Sequence, residues 1–314
     1  MEEIIFLDSD TLGQLEEIQS LRIFGNLTLY HNSNYNETLD RVKTCTILLT
    51  NKVVIDAQII DNAVNLKLIC VTATGMNNVN LEYAAKKNIV VKNVSGYSTA
   101  SVTQVTFGNL FYLMNHLPYF DNFVKSGQYS SGGLFTNTSL SFHEIQGKKF
   151  GIIGLGTIGT AVAKIAKAFG ANIIYYSTSG KNTNDEFEQV SLDKLLNECD
   201  IISIHAPLND NTKNLIDYAK LSLMKPTAII LNTGRGGIIN ESDLAKALNE
   251  NIIGAASIDV MDQEPLPANS TLLHLKNKNK ILITPHIAWA SLESRQRLIR
   301  QTCLNIKNFL NKSN

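Results

Sequence analysis

The sequence carries no surplus of charge of either sign. Its 28 lysine and arginine residues are balanced by 28 aspartate and glutamate residues, so the formal net charge at pH 7 is zero. Proteins that bind nucleic acid neutralise many phosphates with basic side chains, and this composition therefore argues against nucleic acid as the main partner. The balance leaves room for a local cationic pocket that binds a small anion.

Long apolar runs are missing as well. No stretch approaches the roughly 20 apolar residues of a membrane helix. The N-terminus has only a short apolar run, Ile4–Leu7, and it lacks the basic start of a signal peptide. We therefore expect a cytoplasmic protein that does not bind membranes.

Cysteine is scarce, and its spacing gives no sign of metal binding. The four cysteines, Cys45, Cys70, Cys199 and Cys303, include no CxxC pair, so zinc sites and thioredoxin-type redox chemistry are poorly supported. Apolar neighbours in the sequence predict that these are reduced core cysteines and that the protein has no metal site.

The chain is long enough for two domains. It has 314 residues, of which 44% are apolar and 18% charged, as in folded globular proteins. Short β-branched runs alternate with helical patterns in two series, which predicts two α/β units with parallel sheets covered on both faces. The predicted strands are Ile4–Leu7, Leu27–Tyr30, Thr46–Leu49, Leu68–Val71 and Ile89–Lys92, then Phe150–Ile153, Ile173–Tyr176, Ile201–Ile204, Ala228–Leu231, Ala256–Asp259 and Ile281–Ile283.

Two helical segments decide how these units connect. Thr99–Gln128 predicts one long apolar helix, which is either a core helix or, because it needs cover on more than one side, a contact in a homodimer. Ser291–Leu310 predicts a terminal helix that can return to the first unit. We therefore predict a nucleotide-binding domain, residues 99–288, inserted in a discontinuous substrate domain of residues 1–98 and 289–314. Both domains are expected to be Rossmann-like or flavodoxin-like.

A glycine loop, Gly154-Leu155-Gly156-Thr157-Ile158-Gly159, follows the strand Phe150–Ile153 and opens a helix with apolar residues at helical spacing. Gly154 permits the tight turn, Gly156 lets the backbone approach a pyrophosphate, and Gly159 allows the helix to pack closely on the strand. Because the free N–H groups at a helix start attract phosphates, this unit predicts NAD or NADP as cofactor.

The second strand of this unit bears on the choice of cofactor. An Asp or Glu at its end usually hydrogen-bonds the adenosine ribose and repels a 2′-phosphate. This sequence has Ser177 there, followed by Thr178, Ser179 and, after one glycine, Lys181. Either the ribose of NAD bonds Ser177, or the pocket accepts NADP; we hypothesise dual use or a preference for NADP.

Three further predicted strand ends carry charged or titratable side chains. Arg235, Glu264 and His286 follow the strands near 231, 259 and 283, and carboxyl ends of parallel strands form the ligand crevice of an open sheet. Arg235 can hold a carboxylate, His286 can exchange a proton, and Glu264 can orient the imidazole. Taken singly, Arg235 also fits a surface ion pair, Glu264 a solvated loop residue and His286 a satisfied core histidine, and a lone histidine is more often the latter. Together, after a dinucleotide loop, they predict reduction of a 2-keto acid.

The sequence resembles the D-isomer-specific 2-hydroxyacid dehydrogenase family over nearly its whole length. The segments that carry the resemblance are GLGTIG, HAPL, NTGRGG, DxxxxEP and TPHIA. It implies that Arg235, Glu264 and His286 are catalytic and that Asp259 meets the nicotinamide carboxamide. The predicted cofactor-binding residues are Gly154, Gly156, Thr157, Ile158, Gly159, Ser177, Thr178, Ser179, Lys181, His205, Ala206, Pro207, Thr212, Thr233, Gly234 and Asp259. The predicted substrate-binding residues are Thr74, Gly75, Met76, Arg235, His286 and Trp289.

Within the family, the stretches 73–79, 95–99, 177–182 and 286–290 are most similar to glycerate dehydrogenases, also called hydroxypyruvate reductases. The resemblance implies reduction of hydroxypyruvate, and of glyoxylate, with D-glycerate as the product from hydroxypyruvate. A D-lactate or phosphoglycerate dehydrogenase specificity stays open, as does a cofactor-sensing, corepressor-like protein that binds protein partners.

Three places depart from the family pattern. Ser177 replaces the usual acid, and Gln104 stands where many members have Glu. Ala288-Trp289 stands where many have glycine or another small residue. Trp289 either closes the substrate pocket or packs between domains, so the sequence leaves the size of the substrate open.

Overall fold

The computed structural model describes residues 1–311, and its chain divides into two compact units. The first unit contains Met1–Ser98 and the chain from Ala290 onward, and the second contains Thr99–Trp289. The second crossing falls one residue later than the predicted boundary at 288/289, so Trp289 belongs to the second unit. Within residues 1–311, no helix is both long enough and apolar enough to span a membrane.

The first unit is built on a five-stranded parallel sheet. Its strands are β1 (Glu2–Phe6), β2 (Gly25–Leu29), β3 (Ile47–Thr50), β4 (Leu68–Val71) and β5 (Val90–Lys92), and its helices before the first crossing are α1 (Tyr35–Arg41), α2 (Ala57–Asn62) and α3 (Leu81–Lys86). The order β2-β1-β3-β4-β5 is that of flavodoxin-like folds. Every residue of β3 and β4 is buried, as the continuous apolar runs predicted.

The second unit is built on a seven-stranded parallel sheet. Its elements in chain order are α4 (Thr99–Met114), α5 (Leu117–Lys125), α6 (Gln128–Ser131), β6 (Lys149–Ile153), α7 (Thr157–Ala168), β7 (Asn172–Tyr176), β8 (Glu188–Gln189), α8 (Leu192–Glu198), β9 (Ile201–Ile204), α9 (Tyr218–Leu221), β10 (Ile229–Asn232), α10 (Glu241–Asn249), β11 (Ala255–Ile258) and β12 (Ile281–Ile283). The order β12-β11-β10-β9-β6-β7-β8 is that of a Rossmann sheet with one added strand. The predicted α/β class and the two-domain Rossmann-like and flavodoxin-like architecture are therefore confirmed.

Two apolar clusters cover the faces of this second sheet. Phe150 and Ile152 of β6 pack with buried residues of α4 and α7. Ile153, on the opposite face, packs with buried residues of α8, α9 and α10. Side chains alternate in this way when a strand is buried on both faces. Because both faces of the sheet are covered, the ends of its strands are the part that a ligand can reach.

The terminal helix, α11 (Leu292–Leu310), belongs to the first unit. Ser291 caps its start by accepting from the Ser294 amide. Arg295 donates to Leu12 O at 2.6 Å, and Arg297 donates to Tyr97 O at 2.9 Å. These bonds tie the helix to the N-terminal part of the chain, so the first unit is discontinuous in sequence.

The structure corrects two expectations about elements. The single helix predicted over Thr99–Gln128 is wrong, because α4 ends at Met114 and His116 takes a left-handed conformation with φ of 51° before α5 begins. Pro118 lies in the first turn of α5, where its missing N–H costs no hydrogen bond. The short strand β8 was not predicted, since two polar residues give no periodic signal.

Candidate active site

Arg235, Glu264 and His286 lie on three loops that follow neighbouring strands. The strands are in register at their ends, because Asn232 of β10 pairs with Ile258 of β11, which pairs with Ile283 of β12. Adjacent strands lie about 4.8 Å apart. The second unit therefore brings the three loops to one edge of its sheet.

Glu264 and His286 form a direct pair. The distance from His286 Nδ1 to Glu264 Oε2 is 2.7 Å, and the other carboxylate oxygen accepts from the Met261 amide at 3.0 Å. The side chains are 21% and 30% exposed respectively, so His286 is no enclosed core histidine and Glu264 is no freely solvated residue. Since a carboxylate accepts, it places the proton on Nδ1, and Nε2 has no partner within residues 1–311.

The backbone at His286 is strained. Its φ is 53°, in the left-handed region that side-chain-bearing residues seldom occupy. The amide of His286 donates to Asp259 O at 2.8 Å and to Thr284 O at 3.0 Å. Neighbouring bonds therefore hold the residue in an unfavourable conformation, as is common at functional sites.

Asp259 organises the loop that carries His286. Its carboxylate is fully buried and accepts from Thr284 Oγ1 at 2.6 Å and from the amides of Ile287 and Ala288, both at 2.9 Å. Burial raises the pKa of Asp259, and these hydrogen bonds act in the opposite direction. The sequence analysis predicted that Asp259 contacts the cofactor, and it missed the support that Asp259 gives to the His286 loop. The available signal was an aspartate at the end of the strand that lies beside the strand leading to His286.

Arg235 sits in a turn clamped by Asn232. The amide nitrogen of the Asn232 side chain donates to Arg235 O at 2.9 Å, and its oxygen accepts from the Gly234 amide at 3.1 Å. The Arg235 guanidinium donates to Gly234 O at 2.8 Å. No ion pair engages it within residues 1–311, so the reading of Arg235 as a surface ion pair has no support and its remaining donors are available to an anion. Asn232 was overlooked, although it opens the quoted NTGRGG segment.

The loops of Arg235 and Glu264 interlock. A Cβ on Gly236 would lie 1.9 Å from Met261 O, so only glycine fits there. The Gly237 amide donates to Asp262 Oδ1 at 2.6 Å. Because Met261 also donates to Glu264, the arginine turn and the glutamate loop share one set of contacts.

The glycine loop links β6 to α7 as the sequence predicted. A Cβ on Gly154 would lie 2.8 Å from the Ala206 amide, and one on Gly159 would lie 2.3 Å from Gly154 O. A Cβ on Gly156 would meet no protein atom within 4 Å. No side chain caps the first turn of α7. Gly156 thus borders open space in front of uncapped amides, which fits a dinucleotide pyrophosphate.

A cavity of about 370 Å³ lies at this loop. It is lined by Gly154, Gly156, Thr178, Ser179, Lys181, Asn182, His205, Pro207, Asn209 and Asn211. These residues follow β6, β7 and β9, at the point where the strand order reverses and where such sheets bind ligands. Asn182, Asn209 and Asn211 were not predicted, although Asn182 ends the quoted loop after β7.

The other predicted cofactor residues do not line this cavity: Thr157, Ile158, Gly159, Ser177, Ala206, Thr212, Thr233, Gly234 and Asp259. Thr212 has a visible local role. Its hydroxyl donates to Pro207 O at 2.7 Å and accepts from the Asn209 amide at 2.8 Å, so it folds the loop that carries Pro207 and Asn209.

Two buried polar atoms near the cavity lack partners within residues 1–311. His205 bonds Ser203 Oγ through Nε2 at 2.8 Å, while its Nδ1 is buried and unpaired. Burial lowers the pKa of His205 to about 3, so the ring is neutral. Ser177 Oγ, at the end of β7, is likewise buried and unpaired. Since unpaired buried polar groups are costly, both atoms fit a site that receives polar ligand groups.

The predicted substrate loop lies in the first unit, after β4. Thr74 Oγ1 donates to Val94 O at 3.1 Å, and the Asn93 side chain donates to Thr74 O at 2.6 Å. Gly75 and Met76 are partly exposed. In the same unit, the buried Asp8 carboxylate accepts from the amides of residues 51–53 and fixes the loop after β3, a bracing that sequence reasoning missed.

Comparison with known proteins identifies the kind of domain that carries this site. Residues 107–288 match the NAD binding domain of D-isomer specific 2-hydroxyacid dehydrogenases. A hydroxypyruvate reductase of Blautia hydrogenotrophica is 34% identical, over 99% of this chain and 98% of its own length. A glyoxylate reductase of Aeropyrum pernix is 38% identical, over 83% of this chain and 78% of its own.

A solved structure extends the likeness to the whole fold. An acyclic imino acid reductase in complex with NADPH and D-Arg superposes with a TM-score of 0.86 at 27% identity, covering 99% of this chain and 97% of its own. Sequence and structure agree, and the chain belongs to the D-isomer-specific 2-hydroxyacid dehydrogenase family.

Proposed function

We propose that the protein reduces hydroxypyruvate to D-glycerate, and also reduces glyoxylate, with NAD(P)H as the hydride donor. The observation that carries this proposal is the His286–Glu264 pair beside the free donors of Arg235 on adjacent strand ends. The names of the two relatives support the substrate class.

Each of the three catalytic side chains has its own role in the proposed reaction. When bound at the glycine loop, a reduced nicotinamide would supply the hydride for the substrate carbonyl carbon. Arg235 holds the substrate carboxylate with its unpaired N–H groups and draws charge toward the adjacent carbonyl. Protonated His286 gives the proton on Nε2 to the carbonyl oxygen. It keeps the proton on Nδ1, whose N–H donates a hydrogen bond to the Glu264 carboxylate. In the oxidative direction, neutral His286 takes that proton back at Nε2.

The remaining binding assignments are part of the proposal. The glycine loop and the cavity beside it hold the dinucleotide, with the α7 amides at the pyrophosphate. Thr74, Gly75 and Met76 of the first unit bind the substrate carboxylate. We also propose a cytoplasmic location, which agrees with the four free cysteines. The proposed partner is a small acid and not nucleic acid, in agreement with a formal net charge of zero.

A substrate panel tests the proposal. Purified protein is assayed by nicotinamide absorbance with hydroxypyruvate, glyoxylate, pyruvate and phosphohydroxypyruvate, each with NADH and with NADPH. The highest kcat/KM is expected on hydroxypyruvate, followed by glyoxylate. A highest value on pyruvate indicates D-lactate dehydrogenase specificity, and one on phosphohydroxypyruvate indicates phosphoglycerate dehydrogenase specificity. Cofactor binding without turnover on any of the four acids overturns the enzymatic proposal in favour of a corepressor-like protein.

We also propose a homodimer formed through the aromatic arm, which we define as residues 117–142 of the second unit. This arm exposes many large apolar side chains, and Phe135 is 89% exposed. Exposed apolar side chains that cluster in one segment often mark protein–protein contacts. Light scattering after gel filtration should give a dimer for the natural protein and a monomer for Phe135→Glu. Val64→Glu, at an exposed apolar residue of the first unit, is the control that should stay dimeric; a monomeric natural protein contradicts this part.

A further inference from the structure

The charge of the cavity beside the glycine loop is unusual for a site that receives an adenosine ribose. Of its lining residues within the described chain, Lys181 is the one cationic side chain, and none is Asp or Glu. Thr178, Ser179 and Asn182 add hydroxyl and amide donors from the same loop. A donor-rich pocket without a carboxylate suits an anion better than a neutral hydroxyl pair.

The loop after β7 folds so that Lys181 comes back to the strand end. Gly180 has φ of 67°, and its amide donates to Ser177 O at 3.4 Å. The Lys181 amide donates to Ser179 Oγ at 3.2 Å. These contacts close a turn, and the glycine is needed because its backbone is left-handed.

The two glutamates that follow its loop do not pair with Lys181. Its ammonium forms no ion pair within residues 1–311, whereas Glu186 pairs with Lys167 at 2.9 Å and Glu188 pairs with Lys194 at 2.8 Å. His205, on the other side of the cavity, is neutral, because burial lowers its pKa to about 3. Lys181 therefore supplies the positive charge that a ligand entering the cavity meets.

The position that repels a phosphate in NAD-specific sheets holds no acid. Ser177 ends β7, is 6% exposed and has a buried hydroxyl oxygen without a partner within residues 1–311. An acid at that place hydrogen-bonds the ribose hydroxyls and excludes a 2′-phosphate by charge. With serine at this position, no negative charge repels a 2′-phosphate, and the unpaired Ser177 hydroxyl can form a hydrogen bond with a ligand.

We infer that this site selects NADP(H) over NAD(H), with the loop Ser177–Asn182 binding the 2′-phosphate and Lys181 as its cationic partner. The inference rests on the dinucleotide site of the proposed function and adds the identity of the cofactor. A 2′-phosphate carries between one and two negative charges near neutral pH. Lysine is a point-charge partner for such a group, and the surrounding hydroxyls and amides supply further hydrogen bonds.

Direct binding tests the inference without turnover. Calorimetry compares adenosine 2′,5′-bisphosphate with 5′-AMP, which differ only in the 2′-phosphate. The natural protein should bind the bisphosphate at least about tenfold more tightly. Lys181→Gln should reduce that ratio to about twofold or less, while the affinity for 5′-AMP stays unchanged. Lys164→Gln removes an exposed charge from α7 outside the cavity, and it should leave both affinities as they are.

A second variant restores an acid at the end of β7 and tests whether it repels the 2′-phosphate. Ser177→Asp should weaken the bisphosphate by about a hundredfold and shift fluorescence-detected binding toward NADH. Its circular dichroism spectrum establishes whether the variant is folded. If it is not, Ser179→Asp, at an exposed residue of the same loop, is used and should give the same direction.

The outcomes separate this inference from the proposed function. Equal affinities for the bisphosphate and 5′-AMP, or an unchanged ratio in Lys181→Gln, overturn the NADP assignment even if hydroxypyruvate is reduced. Tight bisphosphate binding that depends on Lys181 supports it even if none of the four 2-keto acids is turned over.

Discussion

Glu264 holds the imidazole of His286 from the side away from Nε2. Its Oε2 lies 2.7 Å from His286 Nδ1, and its Oε1 is fixed by the Met261 amide at 3.0 Å. A carboxylate can only accept at this contact, so the pair selects the tautomer with the proton on Nδ1. In the proposed function, Nε2 is therefore the ring nitrogen that exchanges a proton with the substrate.

Glu264→Gln should disturb this selection without disturbing the fold. A glutamine can donate to Nδ1 as well as accept from it, and the wrong tautomer then becomes populated. We expect kcat to fall by about a hundredfold or more, with an unchanged affinity for the cofactor. Nitrogen NMR of labelled histidine should show the altered tautomer. Glu198→Gln is the matched control, because Glu198 ends α8 and pairs with Lys149, outside the loops that carry Arg235, Glu264 and His286. Normal turnover in Glu264→Gln contradicts the assignment.

Two variants of His286 should separate its role in proton transfer from the strain of its backbone. His286→Ala and His286→Asn both remove the proton donor, so both should lower kcat by about 10²–10⁴-fold and leave cofactor binding intact. Asn tolerates the left-handed conformation at φ of 53° better than Ala. The Asn variant should therefore be more stable than the Ala variant, by about 0.5–1 kcal/mol in urea unfolding. Near-normal turnover in either variant excludes the proposed role.

The sequence predicted the fold better than it predicted the support of the site. Strands such as Leu68–Val71 and Ile201–Ile204 have the bounds that their apolar runs indicated, because burial on both faces leaves a continuous signal. The break at His116 was missed, since the apolar pattern continues past it and a single left-handed residue leaves no periodic trace. The Asn232 side chain bonds residues two and three positions away, in a turn that leaves no periodic pattern. The partners of the Asp259 side chain were missed for another reason. Hydrogen bonds between segments 25 residues apart, such as Thr284 to Asp259, depend on loop paths that one sequence does not reveal.

The bracing by Asp259 can be measured through Thr284. Thr284→Val keeps the shape and removes the hydroxyl that donates to the buried carboxylate at 2.6 Å. A hydrogen bond to a charged group contributes about 1.5–3 kcal/mol, and we expect a loss of this size together with a lower kcat. Thr103→Val removes one bond to a neutral carbonyl, Thr99 O, and should cost about 0.5–1.5 kcal/mol with unchanged kcat. Equal effects on kcat would contradict a role of Asp259 in positioning His286.

The cysteines give a prediction about pH and reactivity. Burial raises the pKa of Cys45, Cys70 and Cys199 from 9.0 to about 12. These thiols therefore stay protonated in the fold at about pH 8, and only the half-buried Cys303 should react with a disulfide reagent in the native protein. All four should react in denaturant. The unfolded thiols ionise near 9.0 and the folded ones do not, so this contribution to stability is complete below that pH and is lost as the pH rises toward about 12. Rapid native labelling of two or more thiols would contradict the burial.

The glycine loop allows the binding role of a glycine to be separated from its packing role. Gly159→Ala would place a Cβ 2.3 Å from Gly154 O, which forces α7 away from the strand. This variant should lose both stability, by about 1–3 kcal/mol, and cofactor affinity. Gly156→Ala places its Cβ in space that no protein atom occupies within 4 Å, and φ of −86° at this residue suits alanine. Its melting temperature should match that of the natural protein, while its cofactor affinity falls by about tenfold or more because the methyl group occupies the position of the pyrophosphate. Calorimetric unfolding and fluorescence titration with NADPH measure the two effects on the same samples. A Gly156→Ala protein that binds NADPH normally would mean that the dinucleotide does not approach this backbone, and the cavity beside it would then have another ligand.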